Sequence, residues 1–269
     1  MKKYLLISAL CLMAACAKEA PETTPLLVVE GWIESDEAPV VMVTTSVIPT
    51  PEPQDISRLE DYVEKWARVA VWDGDKEVIL TGMISQRYTP PFYFTTGRII
   101  GEVGKTYRLT VDTDQFHAES TATIPEAVGL QSLEAIPYGD DGSQFLLKAA
   151  YSGAYHCKFF TLIEGVDKTY VPAFSSLATG SERTEVTIRP GSTLYRSEKR
   201  PSFHSGETVW VKCCALGEDM YAMWKALDDL LYLDIPAFFS LDSNLPGNVD
   251  GAIGYFAGYG CTTYKVVIP

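Results

Sequence analysis

From Leu26 onward the chain is cut into short runs rich in Val, Ile, Thr and aromatic residues, separated by clusters of Gly, Pro and Asp. That punctuation belongs to sheets of short antiparallel strands, and it restricts the fold to an all-β class of the sandwich type. Residues 26–34 and 40–46 read as strands joined by the polar turn Ser35-Asp36-Glu37, whereas 48–58, opening with Pro49, Pro51 and Glu52, reads as a loop. Further strands are expected at 66–72, 77–81, 92–95, 106–112 and 116–124. In 66–72, Val69 and Val71 face one way and Arg68 and Ala70 the other; in 106–112, Tyr107, Leu109 and Val111 share a face. Seven strands in about a hundred residues make one sandwich, placed at 26–125. Trp32, in an early strand, is expected to be a buried structural indole.

Pro125 to Gly129 is the candidate linker, with two apolar residues that suggest a packed joint. The second sandwich is expected over 130–269. Its strands are 144–151 and 155–164, joined as a hairpin across Ser152-Gly153-Ala154, then 185–188, 208–216, 252–259 and 262–268. The remainder of 169–206 reads as long loops. One helix interrupts the strands at 218–233, where Met220, Met223, Trp224, Leu227, Leu230 and Leu231 recur at helical spacing and Asp228-Asp229 lies on a solvated face. The fold class is therefore all-β, two tandem sandwiches of immunoglobulin or transthyretin-like type, the second carrying one amphipathic helix near its C-terminal strands.

The first residues supply an address. Lys2 and Lys3, an apolar run over 4–13, and Ala14-Ala15 before Cys16 have the form of a lipoprotein secretion signal. In this reading residues 1–15 are removed, Cys16 takes the lipid, and 16–25 form an anchor and a polar tether. The alternatives are an ordinary signal cut near Ala15 or an uncleaved helix, and Met13 stands where Leu is usual. The mature chain would have 269 − 15 = 254 residues and, without Lys2 and Lys3, 20 basic against 35 acidic side chains, a formal charge of −15. A polyanion of this size disfavours nucleic acid as a partner, and no later apolar stretch reaches bilayer length, so the lipid is the expected sole membrane contact.

Cys11 leaves with the signal, and Cys157, Cys213, Cys214 and Cys261 remain as candidate disulfide partners in an oxidising compartment. Alternation puts Val209, Val211 and Cys213 on the apolar face of their strand, and Cys157 with Phe159 and Ile163 on the less charged face of another, opposite His156, Lys158 and Glu164. Cys157 and Cys213 should thus enter one core. Adjacent strand residues point apart, which disfavours Cys213 with Cys214. The expected pairs are Cys157 with Cys213 and Cys214 with Cys261, with buried free thiols as the alternative.

His117, His156 and His204 are isolated, and neither a metal-ligand spacing nor a cofactor motif is present, so no metal or cofactor is expected. No G-x-S-x-G elbow signals a serine hydrolase. Gly258-Tyr259-Gly260-Cys261 is better explained by glycines at the end of a sandwich strand, which allow a tight turn and close backbone approach, than by a nucleophile turn. Asp73-Gly74-Asp75 and Asp140-Asp141-Gly142 read as turns, falling short of a calcium loop. The expectation is a non-enzymatic protein.

The strand Leu27-Val28-Val29-Glu30-Gly31-Trp32-Ile33 after the lipid-type signal resembles the start of a Bacteroidetes lipoprotein family known only as a domain of unknown function, DUF4249. The stretch from Ser243-Asn244 through Gly247-Asn248-Val249-Asp250-Gly251-Ala252-Ile253-Gly254-Tyr255-Phe256 is similar to that family's C-terminal segment, and the helix around 221–231 falls where the family carries one. The resemblance implies an outer-membrane, lipid-anchored location, on the periplasmic or the surface face, and association with a TonB-dependent transporter. It points to an accessory or ligand-capture component of nutrient uptake. The competing expectation is a fimbrial or adhesin-type subunit polymerising by strand exchange, which would need an open groove or loss of an N-terminal strand.

Overall fold

The computed structural model describes residues 25–46, 56–140, 142–153, 155–191, 200–232 and 245–269. The expected signal, Cys16 and most of the tether lie outside the described residues. The strands are β1 (Leu27–Glu34), β2 (Val40–Thr45), β3 (Arg68–Trp72), β4 (Glu77–Ile79), β5 (Thr81–Ile84), β6 (Phe92–Thr95), β7 (Thr106–Asp112), β8 (His117–Thr123), β9 (Leu130–Pro137), β10 (Gln144–Tyr151), β11 (His156–Ile163), β12 (Val171–Ala178), β13 (Thr184–Ile188), β14 (Phe203–His204), β15 (Thr208–Leu216) and β16 (Ile253–Val267). A 3-10 segment, Ile56–Tyr62, precedes β3, and one α-helix, α1 (Glu218–Tyr232), lies between β15 and β16. The chain is all-β with a single helix near its C-terminal strands.

One sheet organises the molecule. Eight strands run in the order β12-β11-β15-β16-β1-β2-β6-β5, and two four-stranded sheets, β4-β3-β7-β8 and β13-β10-β14 with β9 beside β10, complete the architecture. Two cores result. The first gathers Val29, Ile33, Val41, Val69, Val71, Tyr107, Leu109 and Phe256; the second gathers Leu147, Tyr151, Cys157, Phe159, Phe203, Val209, Val211 and Ile268. Alternation produces both: Tyr107, Leu109 and Val111 of β7 enter the first core, and Val209, Val211, Cys213 and Ala215 of β15 enter the second.

β16 belongs to both cores. Its first half pairs in parallel with β1, from Val28 opposite Ile253 to Glu34 opposite Tyr259, and its second half pairs antiparallel with β15, from Ala215 opposite Gly260 to Thr208 opposite Val267. Fifteen residues at about 3.3 Å each make a strand about 50 Å long. The sequence suggests two strands here and assigns both to the second unit, yet Phe256 fills the first core and residues 253–259 hydrogen-bond into it. The glycines that looked like a break permit the continuity. A Cβ at Gly258 would strike the Thr123 carbonyl and one at Gly260 the Pro125 carbonyl, so the linker backbone passes directly against the strand, where no side chain fits. Thr262 Oγ1 donates to the Val128 carbonyl at 2.7 Å and the Leu130 amide to the Tyr264 hydroxyl at 2.7 Å, which pins the joint.

The flank of β16 beside its first half is sealed by a side chain. Asn248 accepts the Phe256 amide at 2.8 Å and donates to the Phe256 carbonyl at 2.9 Å, doing for one residue what a neighbouring strand would do. Ser120 Oγ donates to the Asn248 carbonyl at 2.7 Å and Asp250 pairs with Glu119, so the segment 248–250 is held against β8.

Several elements differ from the sequence reading. β10 and β11 lie in different sheets, so 144–151 and 155–164 form a crossing between layers and not a hairpin. The segment Val171–Ala178, expected as loop, is the edge strand β12, whose Pro172 is tolerated at a sheet edge. The eight-residue β9, the four-residue β5 and the two-residue β14 are additional strands.

Candidate functional site

The eight-stranded sheet covers each core with its inner face, and α1 lies across the outer face where the two halves meet. Met220, Met223 and Trp224 of the helix pack on Cys214, Leu216, Ala257 and Tyr259 of the sheet, with Trp32, Phe160, Leu177, Leu227 and Tyr255 at the margin. Met220, Met223, Trp224 and Leu227 of the stripe anticipated from spacing therefore form the docking face. Trp32 is not the buried core indole that the sequence suggests. Alternation from buried Val29, Gly31 and Ile33 puts it on the outer face, half-buried, with its ring edge-on to Tyr88 at 5.9 Å. Tyr88 in turn meets Tyr93 at 4.7 Å.

Charges are set among these rings. Lys212 of β15 pairs with Glu34 at the end of β1, an ion pair across the junction of the two halves, and its ammonium lies 4.2 Å from the Tyr170 ring centre. Lys158 of β11 is fully buried and donates to both Asp228 oxygens at 2.9 and 3.0 Å, 5.0 Å from the Trp224 ring centre. The expectation of a solvated face fails at Asp228, because the charged side of β11 is the side that α1 covers and Asp228 reaches inward to meet Lys158. Burial pushes the Lys158 ammonium below its usual pKa, and Asp228 opposes that shift. Trp224 Nε1 donates to the Tyr259 hydroxyl at 3.1 Å, and burial holds that hydroxyl well above the ordinary tyrosine range. At the far end of the helix His156 stacks on Tyr221 at 3.9 Å and faces Glu218 at 3.2 Å. The arrangement offers aromatic faces and fixed charges, which is the chemistry of binding.

The cysteines divide between the two faces. Cys214 and Cys261, directly opposite in the β15–β16 ladder with Cα atoms 4.3 Å apart, form a disulfide on the outer face beneath α1. Cys157 and Cys213 both enter the second core, and both are free thiols. The bond expected between them is not formed. Cys213 lies opposite Phe159 and Cys157 opposite Ala215, so the two are diagonal neighbours, a spacing of about 7–8 Å between Cα atoms that exceeds disulfide reach. The contact with Cys157 and burial together hold the Cys213 thiol well above its ordinary value. His117 bridges Asp112 at 2.6 Å and Glu119 at 3.2 Å on the surface of the other sandwich, and His204 ends the short strand β14. Among the described residues no group of three or more His, Cys, Asp or Glu side chains is arranged to hold a metal ion, and no helix is long and apolar enough to cross a membrane.

Sequence reasoning missed Trp32, Tyr88, Glu34 and Lys212 as neighbours. The alternation that sets Trp32 beside Glu30 and Glu34 was the available signal.

Two sandwich cores threaded by one strand, with a helix laid over the shared sheet, define an all-β protein of sandwich type whose halves form one body. The chain belongs to the family described as Domain of unknown function (DUF4249), whose sequence pattern matches residues 17–265. No curated protein matches the chain. The segments that carried the resemblance have structural work in this fold: β1 is the partner of β16, and 247–251 hold Asn248 against Phe256.

Proposed function

We propose that this chain is a cell-envelope lipoprotein, anchored through Cys16 at the outer membrane, and that it acts without catalysis as an accessory or ligand-capture component beside a TonB-dependent transporter. The observation that carries the reading is the outer face of the shared sheet. Trp32, Tyr88, Tyr93, Tyr170 and the Glu34–Lys212 pair gather there on a sheet whose strand β16 runs through both cores, so a ligand or partner would meet preorganised groups and little ordering cost. The lipoprotein-type signal and polar tether support the location. Strand exchange of the fimbrial kind is less well served, because β1 is hydrogen-bonded on both edges, to β2 and to β16, and its removal would open the central sheet.

Metabolic labelling with radioactive palmitate, followed by membrane fractionation, tests the anchor. Label should enter the wild-type chain and be lost in Cys16→Ser, which should leave the membrane fraction. Equal labelling of Cys16→Ser, or a wild-type chain found wholly in the soluble fraction, would remove the basis for the proposal.

A further inference from the structure

Trp66 is 96% exposed. It sits in the turn before β3, beside Ala67, which enters the first core, so its position is fixed although its ring is in water. With Pro25, Thr45, Glu64 and Phe116 it lines an open cleft of about 460 Å³ at the end of the first sandwich where the described chain begins. Leu26, 49% exposed, lies at the same end, tied by its amide to Ser46 Oγ at 2.9 Å.

A tryptophan side chain normally removes some 150–250 Å² from water, and its apolar body with one N–H donor suits a boundary that is greasy on one side and wet on the other. The chain itself says which boundary is near. Nine residue steps separate Cys16 from Pro25 (25 − 16 = 9), and at no more than about 3.6 Å each they keep a lipidated cysteine within about 32 Å of the cleft. The anchor therefore keeps this end of the body within reach of the bilayer. The charge of the cleft suits a zwitterionic headgroup, since Arg68, paired with Asp112 at 3.3 Å, lines it together with Glu64 and Asp114, whose carboxylates face the ammonium group. A second copy of the chain docked symmetrically on this end would set those carboxylates against themselves.

We propose that Trp66, with Leu26 at the same end of the sandwich, inserts into the headgroup region of the membrane that holds Cys16 and so fixes the orientation of the body on the bilayer. The inference rests on the lipid-anchor reading. The test uses the full lipidated chain in phosphatidylcholine vesicles, with and without phosphatidylcholine brominated near the top of the acyl chain, compared with the Trp66→Phe variant. Flotation first reports whether the chain is vesicle-bound. The expected result is bromolipid-dependent loss of tryptophan emission in the wild type that disappears in Trp66→Phe, although four tryptophans remain. A floating protein with equal, unquenched emission in both forms would overturn the inference alone. Failure to float would overturn the anchor reading and this inference with it. A Trp66 emission that shifts to the blue with protein density and is not quenched would assign the indole to a second copy, and would also overturn it.

Discussion

Replacing Asp228 by Asn should cost far more than its place on the surface of a helix suggests. Its carboxylate is the charged partner of Lys158, whose side chain is 1% exposed, and both oxygens are used. Removing one partner of a buried pair typically costs about 3–5 kcal/mol, because the other charge stays buried without compensation. Asp228 is 24% exposed, so water can reach part of the site and the lower end, about 3 kcal/mol, applies. At about 2–4 °C per kcal/mol for a chain of this size, the thermal midpoint should fall by roughly 6–12 °C. Lys158→Met should cost little, about 1 kcal/mol or less, since a thioether fits the stem and Asp228 can hydrate. The pH dependence has a definite sign. Burial lowers the folded pKa of Lys158, so the unfolded chain binds more protons below the ordinary lysine value of about 10.4, and the deficit of Asp228→Asn should shrink as pH rises toward it. Differential scanning calorimetry of both variants decides the matter. A Lys158→Met loss equal to that of Asp228→Asn, or an Asp228→Asn shift under about 2 °C, would show that the buried pair is not what holds α1 on the sheet.

Asn248→Ala should leave the Phe256 amide and carbonyl without partners beside the first core, at about 1–3 kcal/mol for each buried group, measured by denaturant unfolding. Cys214→Ser with Cys261→Ser removes a bond between residues 47 apart, which the chain-entropy relation values at about 4 kcal/mol; thiol titration of the native wild type should find no reactive cysteine among Cys157, Cys213, Cys214 and Cys261 until the chain unfolds, and then two. His117 should titrate above 6.5 by NMR, because hydrogen bonds to Asp112 and then Glu119 favour its charged form, and Asp112→Asn should bring it down. The stability it adds is complete below the unfolded histidine value and fades as pH rises through the folded one.

Much of the fold is written locally. The alternation of Tyr107, Leu109 and Val111 identifies β7 and its buried face, and Met220, Met223 and Trp224 mark both the helix and the side it buries. What is not local is not legible. Gly258 and Gly260 look like a strand end because the feature that requires them, the backbone from the end of β8 at Thr123 into the linker at Pro125, lies more than a hundred residues earlier. Ser152-Gly153 has the same chemistry whether the chain turns back in one sheet or crosses to the other. Alternation sorts Lys158 correctly onto the face opposite Cys157, yet whether that face meets water depends on a helix elsewhere in the chain. Trp32 shows the converse, since the face was legible beside Glu30 and Glu34 and the prior that tryptophan belongs in cores concealed it.

The most direct measurement is capture of the lipidated chain, tagged after Pro269, from outer membranes solubilised in mild detergent, with co-purifying proteins identified by mass spectrometry. A TonB-dependent transporter recovered in near-equal amount is the result expected of an accessory held at the membrane. Recovery of polymers of the chain itself, with no transporter, would contradict that account and favour a structural subunit.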